Sequence, residues 1–152
     1  MNAQKQDAIA MLVEDHKKVN SLFKQFEELS DRSKVSKKKI ADQICHELDV
    51  HTQIEEQIFY PSVRTPLKDD DLMDEALVEH ASAKELIAQI LEMDPGDDLY
   101  DAKIKVLSEQ IEHHVKEEES KMFPEVRKTK IDLVALGEKM KTLKEELTVT
   151  AK

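Results

Sequence analysis

Histidine and glutamate recur in this chain at spacings that suit metal ligation. His51 is followed by Glu55, and His114 by Glu118, at the same offset. On a helix, residues four apart sit one turn apart on the same face, so each pair presents an imidazole nitrogen beside a carboxylate oxygen. Two further histidines, His16 and His80, each precede one of the pairs. Bare carboxylates in an apolar core cost several kcal/mol each, or carry a large upward pKa shift. A pair of metal ions removes that cost. Nitrogen and oxygen donors together suit iron, manganese or zinc. Two carboxylates related by a pseudo-dyad are placed to bridge two ions. Iron is the preferred metal, because four histidines and two carboxylates leave coordination positions for small oxygen species.

The elements that must position these residues are long amphipathic helices. Apolar residues fall three or four apart at Ile9, Leu12, Val19, Phe23 and Phe26, with His16 in the gap. This predicts a helix over about residues 4–29. A second, over about 36–64, carries Ile40, Ile44, Leu48 and Ile58, with His51 and Glu55 in its gap. A third, over about 70–93, carries Met73, Ala76, Ala83, Ile87 and Ile90 around His80. A fourth, over about 98–127, carries Ile104, Leu107, Ile111 and Met122 around His114 and Glu118. The tail, about 132–147, reads as a short fifth helix with Leu133, Leu136, Met140, Leu143 and Leu147 on one face.

The connections are short. Residues 31–39 are polar, Thr65-Pro66 is expected to end the second helix, and residues 94–98 form a turn followed by capping acids. Sequential helices then become antiparallel neighbours, giving an all-α, up-down-up-down four-helix bundle with an added C-terminal helix. Each histidine lies near its helix midpoint, and midpoints of antiparallel helices share a layer. An error of two or three residues moves a side chain only about 4 Å along the axis. Taken singly, a core histidine is ordinarily a hydrogen-bonded structural residue, and a His-x-x-x-Glu pair a solvated ion pair. Four histidines in one layer with two matched pairs read as a ligand set.

An internal echo supports this. Residues 51–61 and 114–124 place His, Glu and Pro at the same offsets, so His114 takes the ligand position and neighbouring His113 is a flank residue. His46 lies off the seam, and Pro61 and Pro124 bend or end their helices just past the site. Competing motifs are weaker. No histidine has Glu three residues before it, as ferritin-type sites need. The pair His46 and His51 is one residue too far apart for a zinc protease helix. The turn at 94–98 lacks the length and closing Glu of a calcium loop. Cys45 reads as a small buried hydrophobe, and Tyr60 and Tyr100 as packing residues able to relay radicals.

These residues resemble the hemerythrin-like, or HHE cation-binding, family, whose pattern is His, His-x-x-x-Glu, His, His-x-x-x-Glu with one element per helix. The matching positions are Asp15-His16, His51 to Glu55 with Phe59-Tyr60-Pro61, Glu79-His80, and His114 to Glu118 with Phe123-Pro124. The resemblance implies two non-heme iron ions, oxo- or hydroxo-bridged, with Glu55 and Glu118 between them. It makes His16, His51, His80 and His114 the terminal ligands. Oxygen-carrying hemerythrins have a further histidine one turn after the third-helix one, where this chain has Lys84. That departure disfavours reversible oxygen carriage and leaves an ion more open. It is better suited to peroxide or nitric oxide chemistry, or to sensing. Glu56 and Glu119 are available as extra ligands, with surface ion pairing the plainer expectation.

Composition bounds the class. The chain has 152 residues, net charge −10, no Trp and one Cys. It is expected to be one domain over residues 1–152. One Cys makes no internal disulfide, so a reducing, cytoplasmic setting is expected. The longest apolar run, residues 8–13, is far short of a membrane span, and the first residues lack the pattern of a signal peptide. Acidic excess argues against nucleic acid as partner. The expected partner is a small molecule (O2, H2O2 or NO) bound by a monomer or weak oligomer, in stress response or iron handling. Catalase- or peroxidase-like turnover and a sensor or regulatory role both stay open, with no general acid or base evident beyond the ligand shell.

Overall fold

In the computed structural model, which describes residues 6–30 and 32–150, the described residues are helical throughout apart from short turns. Helix α1 (Ala8–Glu27) begins at Asp7, whose carboxylate accepts the Ala10 backbone N–H at 2.8 Å. Next comes a long rod made of α2 (Lys34–Ile54), a π turn, π1 (Glu55–Phe59), and α3 (Tyr60–Leu67). Helix α4 (Asp70–Leu91) is capped by Asp69, which accepts the Leu72 N–H at 3.1 Å. A second composite rod follows, α5 (Tyr100–Glu117), π2 (Glu118–Met122) and α6 (Phe123–Arg127), and α7 (Leu133–Thr150) ends the described chain.

Four rods pack in a circuit: α1 on α2, α2 on α4, α4 on α5, and α5 back on α1. Apolar side chains form two clusters, one including Leu12, Ile54, Phe59, Met73 and Phe123, the other including Val19, Leu48, Ile87, Leu107 and Tyr100. Helices α1 and α4 run from the first cluster to the second, and the composite rods run back, so consecutive rods alternate in direction. Between the clusters lies a layer of buried polar side chains.

Several expected boundaries differ. The second rod passes through Pro66, which in the last turn removes only its own N–H from the ladder. It stops at Lys68, left-handed at φ 56°, whose N–H bonds the Arg64 carbonyl. Asp98 caps nothing: Leu99, at φ 73°, precedes α5, and the Asp97 carboxylate closes the turn by accepting the Asp94 N–H. The tail helix is not short but 18 residues long. It lies on α1, α2 and π1, burying Leu136 and Met140. Gly137 makes that approach possible, since a Cβ there would stand 2.9 Å from the Gln6 carbonyl oxygen.

The two π turns replace the bends expected at Pro61 and Pro124. Each begins at a ligand-position glutamate, and the N–H five residues on (Tyr60, Phe123) bonds that glutamate's carbonyl. A proline ring clashes with the carbonyl four residues before it in an α-helix, and a locally wider turn relieves that clash. The wider turn moves the seam by one position, so Phe59 is buried and Ile58 only half-buried.

Candidate metal centre

The polar layer holds all six residues expected from the spacing: His16, His51, Glu55, His80, His114 and Glu118, each at most 7% exposed. One histidine comes from each of α1, α2, α4 and α5, and each glutamate opens a π turn. Their donor atoms fall into two groups. His16, His51, Glu55 and Glu118 converge in one, and His80, His114, Glu55 and Glu118 in the other, with the donor atoms of each group within 4.8 Å of one another. The carboxylates are common to both.

On the His16 and His51 side the inner atoms converge without hydrogen bonds, whereas His80 Nε2 lies 3.2 Å from His114 Nε2 on the other. His16 Nε2 lies 3.2 Å from Glu118 Oε1, and His51 Nε2 3.2 Å from Glu55 Oε1. None of these four atoms, nor Glu55 Oε2, has a hydrogen-bond partner. Buried polar atoms are rarely left so, and each costs about 1–3 kcal/mol when it is. Unpartnered buried donors that converge in this way fit a cation.

A second tier orients the imidazoles. Nδ1 of His16 lies 2.7 Å from Glu119, of His51 3.0 Å from Asp15, of His80 2.7 Å from Glu56, and of His114 2.6 Å from Glu79. An ionised carboxylate only accepts, so each Nδ1 donates and each Nε2 is left facing inward with its lone pair available to a cation. These carboxylates form a closed relay, in which α1 holds the histidine of α2, α2–π1 that of α4, α4 that of α5, and π2 that of α1. Each one adjoins a residue of the buried layer in sequence. Glu56 and Glu119 are therefore not merely surface ion pairs. Glu56 also accepts from Lys84 Nζ at 2.8 Å, so the residue standing where oxygen carriers have a fifth histidine braces the His80 partner instead. Lys144 of α7 donates to Asp15 at 2.7 Å, tying the tail to the His51 relay.

Tyr60 is the residue that sequence reasoning underrated. Carried inward by π1, its hydroxyl donates to Glu118 Oε2 at 2.5 Å and sits 3.3 Å from Nε2 of both His80 and His114. The signal was its position five residues after Glu55 and one before Pro61. Burial, then the charges of Glu118 and Glu55, push its pKa well above the usual phenol value. His46 is half-buried, His113 exposed and Cys45 buried, none of them in the polar layer.

Charges in the metal-free layer are strongly coupled. Burial disfavours protonating His114, but the Glu118 charge overcomes it and lifts the pKa to about 10. His51 likewise stays well above 6.5, because Glu55 and Asp15 outweigh burial. Burial pushes Glu118 up, yet His114 and the hydrogen bonds it accepts hold it well below 4.5. Positive charge on His51 and His114 thus faces the buried Glu118 carboxylate and the Asp15 carboxylate.

A buried cluster of histidine and glutamate, able to bind metal and carried by an all-helical chain, defines the class. The chain matches the hemerythrin HHE cation binding domain over residues 7–126 and belongs to that family. A curated relative, the DNA nickase of Nostoc sp. (strain PCC 7120 / SAG 25.82 / UTEX 2576), is 32% identical over 122 residues, 80% of this chain. The match spans only 33% of that relative's length. A crystal structure of a hemerythrin HHE cation binding domain-containing protein from Mycobacterium kansasii superposes with a TM-score of 0.81 at 27% identity. That likeness covers 96% of this chain and 90% of the other. No described helix is long and apolar enough to cross a membrane.

Proposed function

We propose that the centre holds two iron ions, with Glu55 and Glu118 bridging and His16, His51, His80 and His114 as terminal ligands. On this reading the protein binds or processes a small oxidant (O2, H2O2 or NO) in oxidative or nitrosative stress or in iron handling. The observation that carries it is the pair of four-residue donor groups sharing both carboxylates. When bound, iron supplies Lewis-acid and redox chemistry. The chain's own residues bind, orient and exclude. The four outer carboxylates fix the imidazole tautomers, and the Tyr60 hydroxyl keeps its proton and donates it in a hydrogen bond to Glu118 Oε2.

The histidine rings border a cavity of about 20 Å³, walled by Val19, Leu48, Ala83 and Ile111. About 10–15 Å³ is enough for one water-sized molecule, so the room suits a diatomic or peroxide and nothing much larger. An open groove between α1 and α5 shares His16, Ile111 and Val115 with the cavity lining. DNA nicking, named for the longer relative, is not carried over to this chain. The donors are buried, the cavity is small, and a net charge of −10 opposes a polyphosphate.

Anaerobic Fe(II) loading followed by metal analysis tests the centre: two irons per chain are expected, and none or one would overturn it. Peroxide added to loaded protein is expected to be consumed faster than by the same concentration of free iron. Equal rates would leave the second reading, a sensor whose folding follows iron. The unpartnered inner atoms favour that reading too, because a cation that satisfies them stabilises only the folded chain. Helix content and melting unchanged by chelation would exclude it.

A further inference from the structure

Outside the buried layer, a third set of donors converges on the α4–α5 face. His113 Nε2 lies 3.5 Å from Glu79 Oε2 and 3.5 Å from Glu117 Oε1. His113 and Glu117 are one turn apart on α5, and Glu79 reaches them from α4, so the set joins two helices. The three donor atoms lie within 4.8 Å of one another. His113 is 64% exposed at its side chain, whereas Glu79 and Glu117 are only 23% and 20% exposed, so the carboxylates are partly fixed and the imidazole is free to swing. Lys121, 4.0 Å from Glu117 and itself 66% exposed, can move into solvent.

Glu79 faces two ways. Its Oε1 lies 2.6 Å from Nδ1 of the buried His114, and its Oε2 faces His113. One carboxylate therefore stands between the surface donors and the inner donor set.

We propose that His113, Glu79 and Glu117 form a surface docking site for a divalent first-row cation, at which metal is captured before it enters the buried centre. One imidazole and two carboxylates leave three octahedral positions for water, which suits a labile, partly hydrated Fe2+ or Mn2+ rather than a closed structural site. Two partly fixed carboxylates on an acidic protein raise the local cation concentration and its rate of capture. The adjacency of His113 to the ligand His114 has a use on this view: one helix turn offers an outer and an inner imidazole to the same incoming ion. The capture role rests on the reading of the buried layer as the metal's destination; the binding site itself does not.

Mn2+ titration of the iron-loaded protein, with free Mn2+ read by electron paramagnetic resonance, tests the site. One Mn2+ per chain is expected on the wild type and none on the His113→Ala or the Glu117→Gln variant, with circular dichroism unchanged. No bound Mn2+ on the wild type, or undiminished binding by His113→Ala, would overturn it. Stopped-flow Fe2+ uptake by the metal-free protein tests the capture role. The His113→Ala, Glu117→Gln double variant is expected to load about tenfold more slowly to the same final iron content. Equal rates would overturn the role. Failure of the buried centre reads differently: wild type and variants alike would end without two irons.

Discussion

Each inner histidine is held by a carboxylate that adjoins another residue of the buried layer on a neighbouring rod. Asp15 is the most constrained of these, held between His51 and Lys144. Asp15→Ala is expected to lower metal affinity about 10–100-fold while leaving the helices intact, as removal of outer-tier partners does. Competition with a chromophoric chelator measures this. Glu55 is fully buried and neither of its carboxylate oxygens has a hydrogen-bond partner. Glu55→Gln is expected to cut metal content from two ions per chain to one or none, while the metal-free variant melts at or above the metal-free wild type. Metal analysis alongside thermal melts checks both, and a variant that keeps two ions would refute the shared-carboxylate arrangement. At this scale the six residues of the buried polar layer were legible, because interruption of an apolar stripe is visible in a single sequence. The relay partners were not. Asp15, Glu56, Glu79 and Glu119 look like ordinary helix-surface acids until neighbouring rods bring an imidazole to each.

Helix periodicity located the rods but not the two π turns. Ile58 illustrates the reason: α spacing puts it on the seam, and the extra residue admitted by the turn gives its place to Phe59. The same shift brings Tyr60 into the layer. Proline offsets contained the cue, since Pro61 and Pro124 stand equally far beyond their glutamates. For the tail, Gly137 is the sensitive point. Ala in its place gains about 1 kcal/mol of helix propensity, but its Cβ would meet backbone atoms of Gln6 and Ala8 at 2.9 and 3.0 Å. Backbone cannot swing aside as a side chain does, so overpacking of about 1–3 kcal/mol prevails. Gly137→Ala is expected to lower the unfolding midpoint in urea. An unchanged or higher midpoint would show that α7 docks less tightly than its packing indicates.

Over the whole molecule, protons and metal compete for one charge cluster. The His114 pKa is raised from 6.5 to about 10 in the metal-free fold, so its contribution to stability is complete below 6.5 and is lost as pH climbs toward 10. Glu118 has the opposite sign: held below 4.5, it contributes above that value and loses its contribution on acidification. Metal-free protein is therefore expected to be most stable between about pH 4.5 and 6.5 and to melt at progressively lower temperature toward pH 10. Metal-loaded protein is expected to escape the alkaline loss, because cations would replace the protons. Thermal melts of both forms across this range check it. A metal-free protein that gains stability above pH 7 would contradict the coupling.

What the sequence determined by itself was periodic and local: where the rods run, which face is apolar, and where histidine and glutamate interrupt that face. Those follow from the geometry of one helix and need no neighbour. Tertiary structure decided what depends on several rods meeting. It made Glu55 and Glu118 common to two donor groups, bound each imidazole to a carboxylate from the next rod, set Tyr60 over Glu118, and turned Lys84 toward Glu56. It also joined His113 to Glu79 across two helices. Spacing along a chain fixes a side chain's direction on its own helix, and only packing fixes what stands opposite.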